Sequence, residues 1–306
     1  MSLARYARAL LPLAILLAPG VLSSAQSDQV ADLDTVFLTV SVTGKGNNSV
    51  PGIGRERFQV LEDGVDQQIT YFLEDSRPIT VGFIFDDSLR MARNNKYYVL
   101  EEAAQSFLKT KDPRDEYFVV NMADNPVVAV SFATDISKLP VVYGAIGATM
   151  LYDAVYVGLS VIKEAANPRK HLVVITSGGD PTNKTTEVTL QEFALKQPVQ
   201  IHTLFIVEDL GDSEAEMIHR DANVLNLLAN MTGGQFYNAP IDARGVEALM
   251  AEIARGLKTQ YLVGYKSTRP ARDGKRRGVK VKVSALDGES KLNVLTKAGY
   301  YTHKDK

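Results

Sequence analysis

An apolar run from Ile79 to Phe85 ends on Asp86, Asp87 and Ser88, with Arg90 two residues beyond. Neighbouring carboxylates and a hydroxyl are hard oxygen donors, which raises a cation site at the tip of a buried strand. Arg90 opposes that use. At an effective dielectric of ~20, two unit charges ~4 Å apart interact by ~4 kcal/mol, and a guanidinium facing a divalent ion by roughly twice that. A millimolar magnesium site is worth only about 4 kcal/mol. A bound ion and an inward Arg90 therefore exclude each other. Either Arg90 pairs with Asp86 or Asp87 in a fork geometry and replaces the metal, or it swings to solvent and leaves a weak cation site. Taken alone, Asp86-Asp87-Ser88 is also an ordinary polar turn and helix cap.

Other chemistry in the chain is thinner. GGDPTNKT, residues 178–185, follows an apolar run and nearly spells a phosphate-binding loop, with Lys184 and Thr185 in place. Asn183 stands where that loop needs its second glycine to wrap a phosphate. Nucleotide binding, or an enzyme-accessory role through this loop, is the alternative reading. His219-Arg220-Asp221 matches a kinase catalytic tripeptide without the glycine-rich loop or metal-binding DFG that would accompany it. The four histidines lack metal-ligand spacing, no serine sits in a G-x-S-x-G elbow, and there are no cysteines. No nucleophile has a base beside it, so the chain reads as a non-enzyme.

The elements around these residues alternate. DLDTVFLTVSVTG has the two-residue period of a strand, and RERFQVLEDGVDQQITYFLE reads as two strands, FQVLE and QQITYF, joined at Asp63-Gly64. From residue 79, strand-like runs alternate with helical stretches. The runs are ITVGFIF, DEYFVVNMA, HLVVITS and VQIHTLFIVE. The helical stretches include KYYVLEEAAQSFLKT, whose Tyr98, Leu100, Ala103, Ala104 and Leu108 offer one apolar face, and LYDAVYVGLSVIKEAA. That order predicts a doubly wound, mostly parallel α/β sheet, with PVVAVSFAT as one antiparallel edge strand. Ligands of such sheets sit at the carboxyl ends of strands, where FDDSLRM and ITSGGD both fall. Strand texture returns after residue 260. The flanks are each too small to bury a core, so they are expected to pair into one β-sandwich, residues 30–76 with 261–302, around an inserted domain, residues 78–260. Tyr261, Tyr265, Tyr300 and Tyr301 would be its core and edge aromatics.

A net charge of -2 supplies no positive field for nucleic acid. Arg5 and Arg8 precede ALLPLAILLAPGVL, then Ser23-Ser24-Ala25, which reads as a secretory signal over residues 1–25 cleaved near Gln26. The apolar run is shorter than the ~20 residues of a bilayer span, so no stable membrane span is expected after cleavage. Export without cysteine suggests a bacterial envelope protein, secreted or periplasmic.

Three phrases carry a resemblance over nearly the whole mature chain: RERFQVLEDGVDQQITYF, YLVGYKSTRPARDGKRRGVKVKV and KAGYY. With the strand-end motifs, they resemble the von Willebrand factor type A (VWFA) family, and more narrowly its exported bacterial, acidobacterial-type "VWFA-related" members. The resemblance implies a metal-ion-dependent adhesion site: Asp-x-Ser-x-Ser after the first buried strand, a threonine in a later loop and an aspartate after a later strand, together holding magnesium that a partner's carboxylate completes. Asp86 and Ser88 match the first two positions, and Thr149 in GATMLYDA matches the threonine. Arg90 replaces the second serine. Ser177 replaces the aspartate, although Asp180 survives in the same loop. The metal set is thus reduced to Asp86, Ser88 and Thr149. The implied function is non-catalytic, adhesion-type protein binding through a rim of Asp86, Asp87, Ser88, Arg90, Thr149, Ser177 and Asp180. No cofactor is expected beyond weak Mg2+ or Mn2+, and Arg90 would suit an acidic side chain on the partner.

Overall fold

Strand β5 (Ile79–Asp86) is buried at every position, as is β9 (Val199–Ile206), and between them β8 (Arg169–Thr176) is buried at all but Lys170. Such runs demand cover on both faces. The structure is a computed structural model that describes residues 35–88, 91, 97–122, 124–134, 149–178, 182–206, 212–239, 243–269, 273–284 and 292–303. The expected signal, residues 1–25, lies outside them. The central sheet runs β10 (Phe236–Ala239), β9, β8, β5, β6 (Glu116–Met122), β7 (Val127–Ala133). Every pairing in it is parallel except β6 with the edge strand β7.

Helices cover both faces. Helix α1 (Tyr97–Leu108) and α5 (Ala243–Gly256) pack on one, through Leu100, Phe107, Met250 and Ile253 among others. Helices α2 (Leu151–Val161), α3 (Glu187–Leu195) and α4 (Asp212–Thr232) pack on the other, through Val155, Leu190 and Leu225. In α1 the apolar stripe is Val99, Leu100, Ala103, Ala104 and Phe107, with Leu108 at its end. Tyr98, expected on that face, falls outside the stripe and is 41% exposed.

The flanks form two four-stranded antiparallel sheets. One runs β13 (Asn293–Leu295), β1 (Thr35–Thr43), β11 (Gln260–Lys266), β4 (Ile69–Asp75); the other runs β14 (Gly299–Tyr301), β12 (Arg276–Val283), β2 (Phe58–Glu62), β3 (Val65–Gln67). Their facing side chains, including Leu38, Val60, Tyr261 and Val281, make one apolar core. The fold is therefore a doubly wound, mostly parallel α/β layer joined to a sandwich built from both flanks. Tyr261 and Tyr265 lie in the sandwich core, while Tyr300 and Tyr301 are half-buried on β14.

Two expected strands are each divided. QQITYF splits at Gln68: Gln67 ends β3 (Val65–Gln67), which pairs with β2, while β4 pairs with β11 in the opposite sheet. The Asp63-Gly64 turn is present with φ of 46° and 83°, the left-handed pair a two-residue hairpin needs. KLNVLTKAGYY likewise places β13 beside β1 and β14 beside β12. A sandwich closed by so few residues uses each flank in both sheets.

The quoted phrases meet at Glu62. It is fully buried, and its carboxylate accepts from Tyr265 Oη at 2.7 Å, Tyr300 Oη at 2.8 Å and Ser267 Oγ at 2.6 Å. Burial, with Glu62 alongside, pushes the Tyr265 hydroxyl far above its ordinary range and Tyr300 up to about 12.

Candidate functional site

After β5 the chain proceeds to β6 on one side, then returns to place β8 on the other. That reversal opens a crevice beyond the carboxyl ends of β5 and β8, where open α/β sheets hold ligands. Asp86 ends β5, Thr176 ends β8 and Ser177 follows it. Asp86 is fully buried. Its Oδ2 accepts from Thr176 Oγ1 at 2.7 Å and the Ser177 N–H at 3.0 Å, with a longer 3.4 Å contact from Ser177 Oγ. Its Oδ1 accepts from the Ser88 N–H at 3.1 Å. Gly178, at φ 107°, turns the chain so that its N–H donates to Thr176 Oγ1 at 3.0 Å. Asp87 lies beside the end of β6, its N–H donating to the Met122 carbonyl at 3.0 Å.

Asp86, Ser88 and Ser177 are thus brought together. Thr149 lies at the entry of α2, its carbonyl accepting from the Leu151 N–H at 2.9 Å. Arg90 and Asp180 lie outside the described residues. Asp86, Asp87, Ser88, Thr149 and Ser177 are all at most 5% exposed. They underlie the crevice and do not form its solvent-facing surface.

These residues do not fit a divalent ion. A magnesium site needs carboxylate lone pairs aimed outward at the metal. Here both Asp86 oxygens face protein donors. Replacing an aspartate by Ser177 converts an acceptor into a donor, and that donor is spent on Asp86. Among the described residues, no three of His, Cys, Asp and Glu cluster as metal ligands.

Asp153 and Tyr152, not singled out from sequence, hold the 183–185 segment to α2. Asp153, in the first turn of α2, accepts from the Lys184 N–H at 2.8 Å, the Thr185 N–H at 2.9 Å and Thr185 Oγ1 at 2.6 Å. Asn183 Oδ1 in return accepts from the Tyr152 N–H at 2.8 Å. In a phosphate loop those amides and that hydroxyl would face phosphate and its metal. Here a carboxylate of the same chain holds them. Asp221 of the HRD tripeptide is buried and accepts from Tyr152 Oη at 3.2 Å. Burial and the Asp221 charge push that phenol up to about 12. An acid in the first turn of a helix, as at Asp153, was the one available signal for this lock.

No protein-family model and no curated protein sequence matches the chain. Among solved structures, it is similar to a von Willebrand factor type A protein from Catenulispora acidiphila at 12% identity and TM-score 0.46, over 89% of this chain and 74% of that one. It is similar to proximal thread matrix protein 1 from the mussel byssus at 15% identity and TM-score 0.49, over 64% of this chain and 51% of that one, about half its length. Against the SpRpn10 VWA domain, identity is 18% and TM-score 0.40, over 56% of this chain and 93% of that one. All three TM-scores fall below 0.5, and the fold assignment stands on the strand order and register above.

Proposed function

We propose that this is an exported, non-catalytic binding module that recognises a protein partner at the β5/β8 crevice without a metal ion. Localisation in the periplasm or outside the cell belongs to the same proposal. The observation that carries it is the hydrogen bonding of Asp86: its two oxygens are engaged by Ser88, Thr176 and Ser177, so the site coheres on protein donors alone. Asp87, Ser88, Thr149 and Ser177 support the rim from beneath. Contact with the partner falls to the segments that contain Arg90 and Asp180, and Arg90 supplies a cation for an acidic side chain.

The reading is tested by capture from native envelope extract with the wild type and Arg90→Glu, each in chelator and in millimolar magnesium. The expected result is the same partner band with and without chelator, lost on charge reversal. Recovery that depends on magnesium would refute the metal-free reading, and equal recovery by Arg90→Glu would remove this rim.

A further inference from the structure

The chain passes between the sandwich and the α/β layer twice, from β4 to β5 through Ser76–Pro78 and from α5 to β11 through Leu257–Thr259. One side chain fastens both passages. Arg169, 5% exposed on β8, donates through Nη1 to the carbonyls of Arg77 at 2.7 Å and Lys258 at 3.4 Å, and through Nη2 to the carbonyl of Leu257. Its Nε and Nη2 also reach Gln260 Oε1 at 3.3 Å. Gln260 Nε2 extends the network to Ser41 Oγ on β1 at 2.8 Å and Gln200 Oε1 on β9 at 2.6 Å.

Two residues along β8, on the same face of the sheet, lies His171. His202 of β9 is beside it, with ring centroids 5.9 Å apart. Both are at most 5% exposed, and none of their four ring nitrogens has a hydrogen-bond partner among the described residues. Neutral imidazoles tolerate this site at a cost; an imidazolium there would face a second imidazole and the Arg169 guanidinium in a dry environment. The carboxylates that act on Arg169 are already engaged. Asp75 is paired with Arg77 at 2.7 Å, and Asp115 accepts from the Ile79 and Asp112 N–H groups and from Tyr117 Oη. Of the charges on the covering helix α5, Glu252 and Arg255 act on Tyr237 of β10 in opposite directions, Glu247 pairs with Lys109 at 3.5 Å, and Arg244 lies in the first turn.

We propose that His171, His202 and Arg169 form an acid-sensitive latch between the two modules, in which proton uptake by the imidazole pair expels the guanidinium from the two passages and frees the sandwich from the α/β layer. Burial holds His202 down at about 4, and burial with the His202 and Arg169 charges holds His171 well below the ordinary histidine range. Unfolded imidazoles take protons near pH ~6.5. Stability is therefore full above that pH and falls as pH drops toward the folded value.

The chain has no tryptophan, so urea unfolding of the full protein is followed by far-UV circular dichroism between pH 7.5 and 4.5. The folded-to-unfolded ratio is expected to fall about tenfold per pH unit for each imidazole, about a hundredfold for both. His171→Leu with His202→Leu should lose that share of the slope. An unchanged slope in the double variant would overturn the latch. Should that variant not fold, hydrogen exchange on the wild type decides. Protection at residues 76–79 and 257–260 is expected to drop at pH 5 ahead of the β8 and β9 amides, and equal protection at pH 5 and 7.5 would equally overturn it.

Discussion

Ser177→Asp is the most informative single substitution. It restores the residue type that the adhesion-site resemblance implies and reverses the role Ser177 plays here. The Ser177 N–H lies 3.0 Å and its Oγ 3.4 Å from Asp86 Oδ2, so a new carboxylate would stand within ~4 Å of a buried one. At an effective dielectric of ~20 that repulsion is ~4 kcal/mol, and the lost hydroxyl donor adds about 1 kcal/mol. Against a typical total of about 5–15 kcal/mol, the variant in chelator should sit near the threshold of folding. The deficit should shrink as pH falls, because one member of a close carboxylate pair then takes a proton. A divalent ion relieves the pair directly, and Mn2+ at about 100 times its dissociation constant should return about 2.7 kcal/mol. Adding Arg90→Ser should enlarge that gain. The assay is urea unfolding in chelator and in Mn2+, wild type alongside. A variant as stable as wild type in chelator and indifferent to Mn2+ would refute the placement of the site.

Other outcomes follow from the same geometry. Tyr265→Phe removes one of the three hydroxyls held by buried Glu62 and should cost about 1.5–3 kcal/mol in urea unfolding, the range for a bond to a charged group. Asp153→Ala frees the 184–185 amides and the Thr185 hydroxyl. It should raise hydrogen exchange there and cost about 1–2 kcal/mol, while ATP with magnesium should produce no thermal shift in the wild type. Arg169→Met leaves the carbonyls of Arg77, Leu257 and Lys258 without their donor, and a loss of about 3 kcal/mol is expected by the same denaturation.

The α/β layer was legible because its strands are buried on both faces and its helices carry long apolar stripes. Those are local patterns that survive without knowledge of their neighbours. The sandwich was legible only in outline. Gln68 and the Thr296–Ala298 link lie where one apparent strand serves two sheets, and strand alternation is blind to which sheet a residue enters. At the site, Asp86 and Ser177 were readable from their place at strand ends. Thr176 was not, since a threonine closing a buried strand looks like strand propensity until a carboxylate is seen beside it. Asp153 joined the site through a loop 31 residues away, a distance no short motif spans. His202 is one of four histidines without metal-ligand spacing in the sequence. Its proximity to His171 comes from the parallel register that sets Val173 opposite His202, which the sequence does not print.

The central claim is that Asp86 is satisfied by protein donors and needs no metal. Calorimetric titration of the purified wild-type protein with Mg2+ and Mn2+ tests it most directly. The account predicts no binding tighter than about 1 mM, an affinity worth about 4 kcal/mol. A sub-millimolar, roughly equimolar site abolished by Asp86→Ala would contradict it.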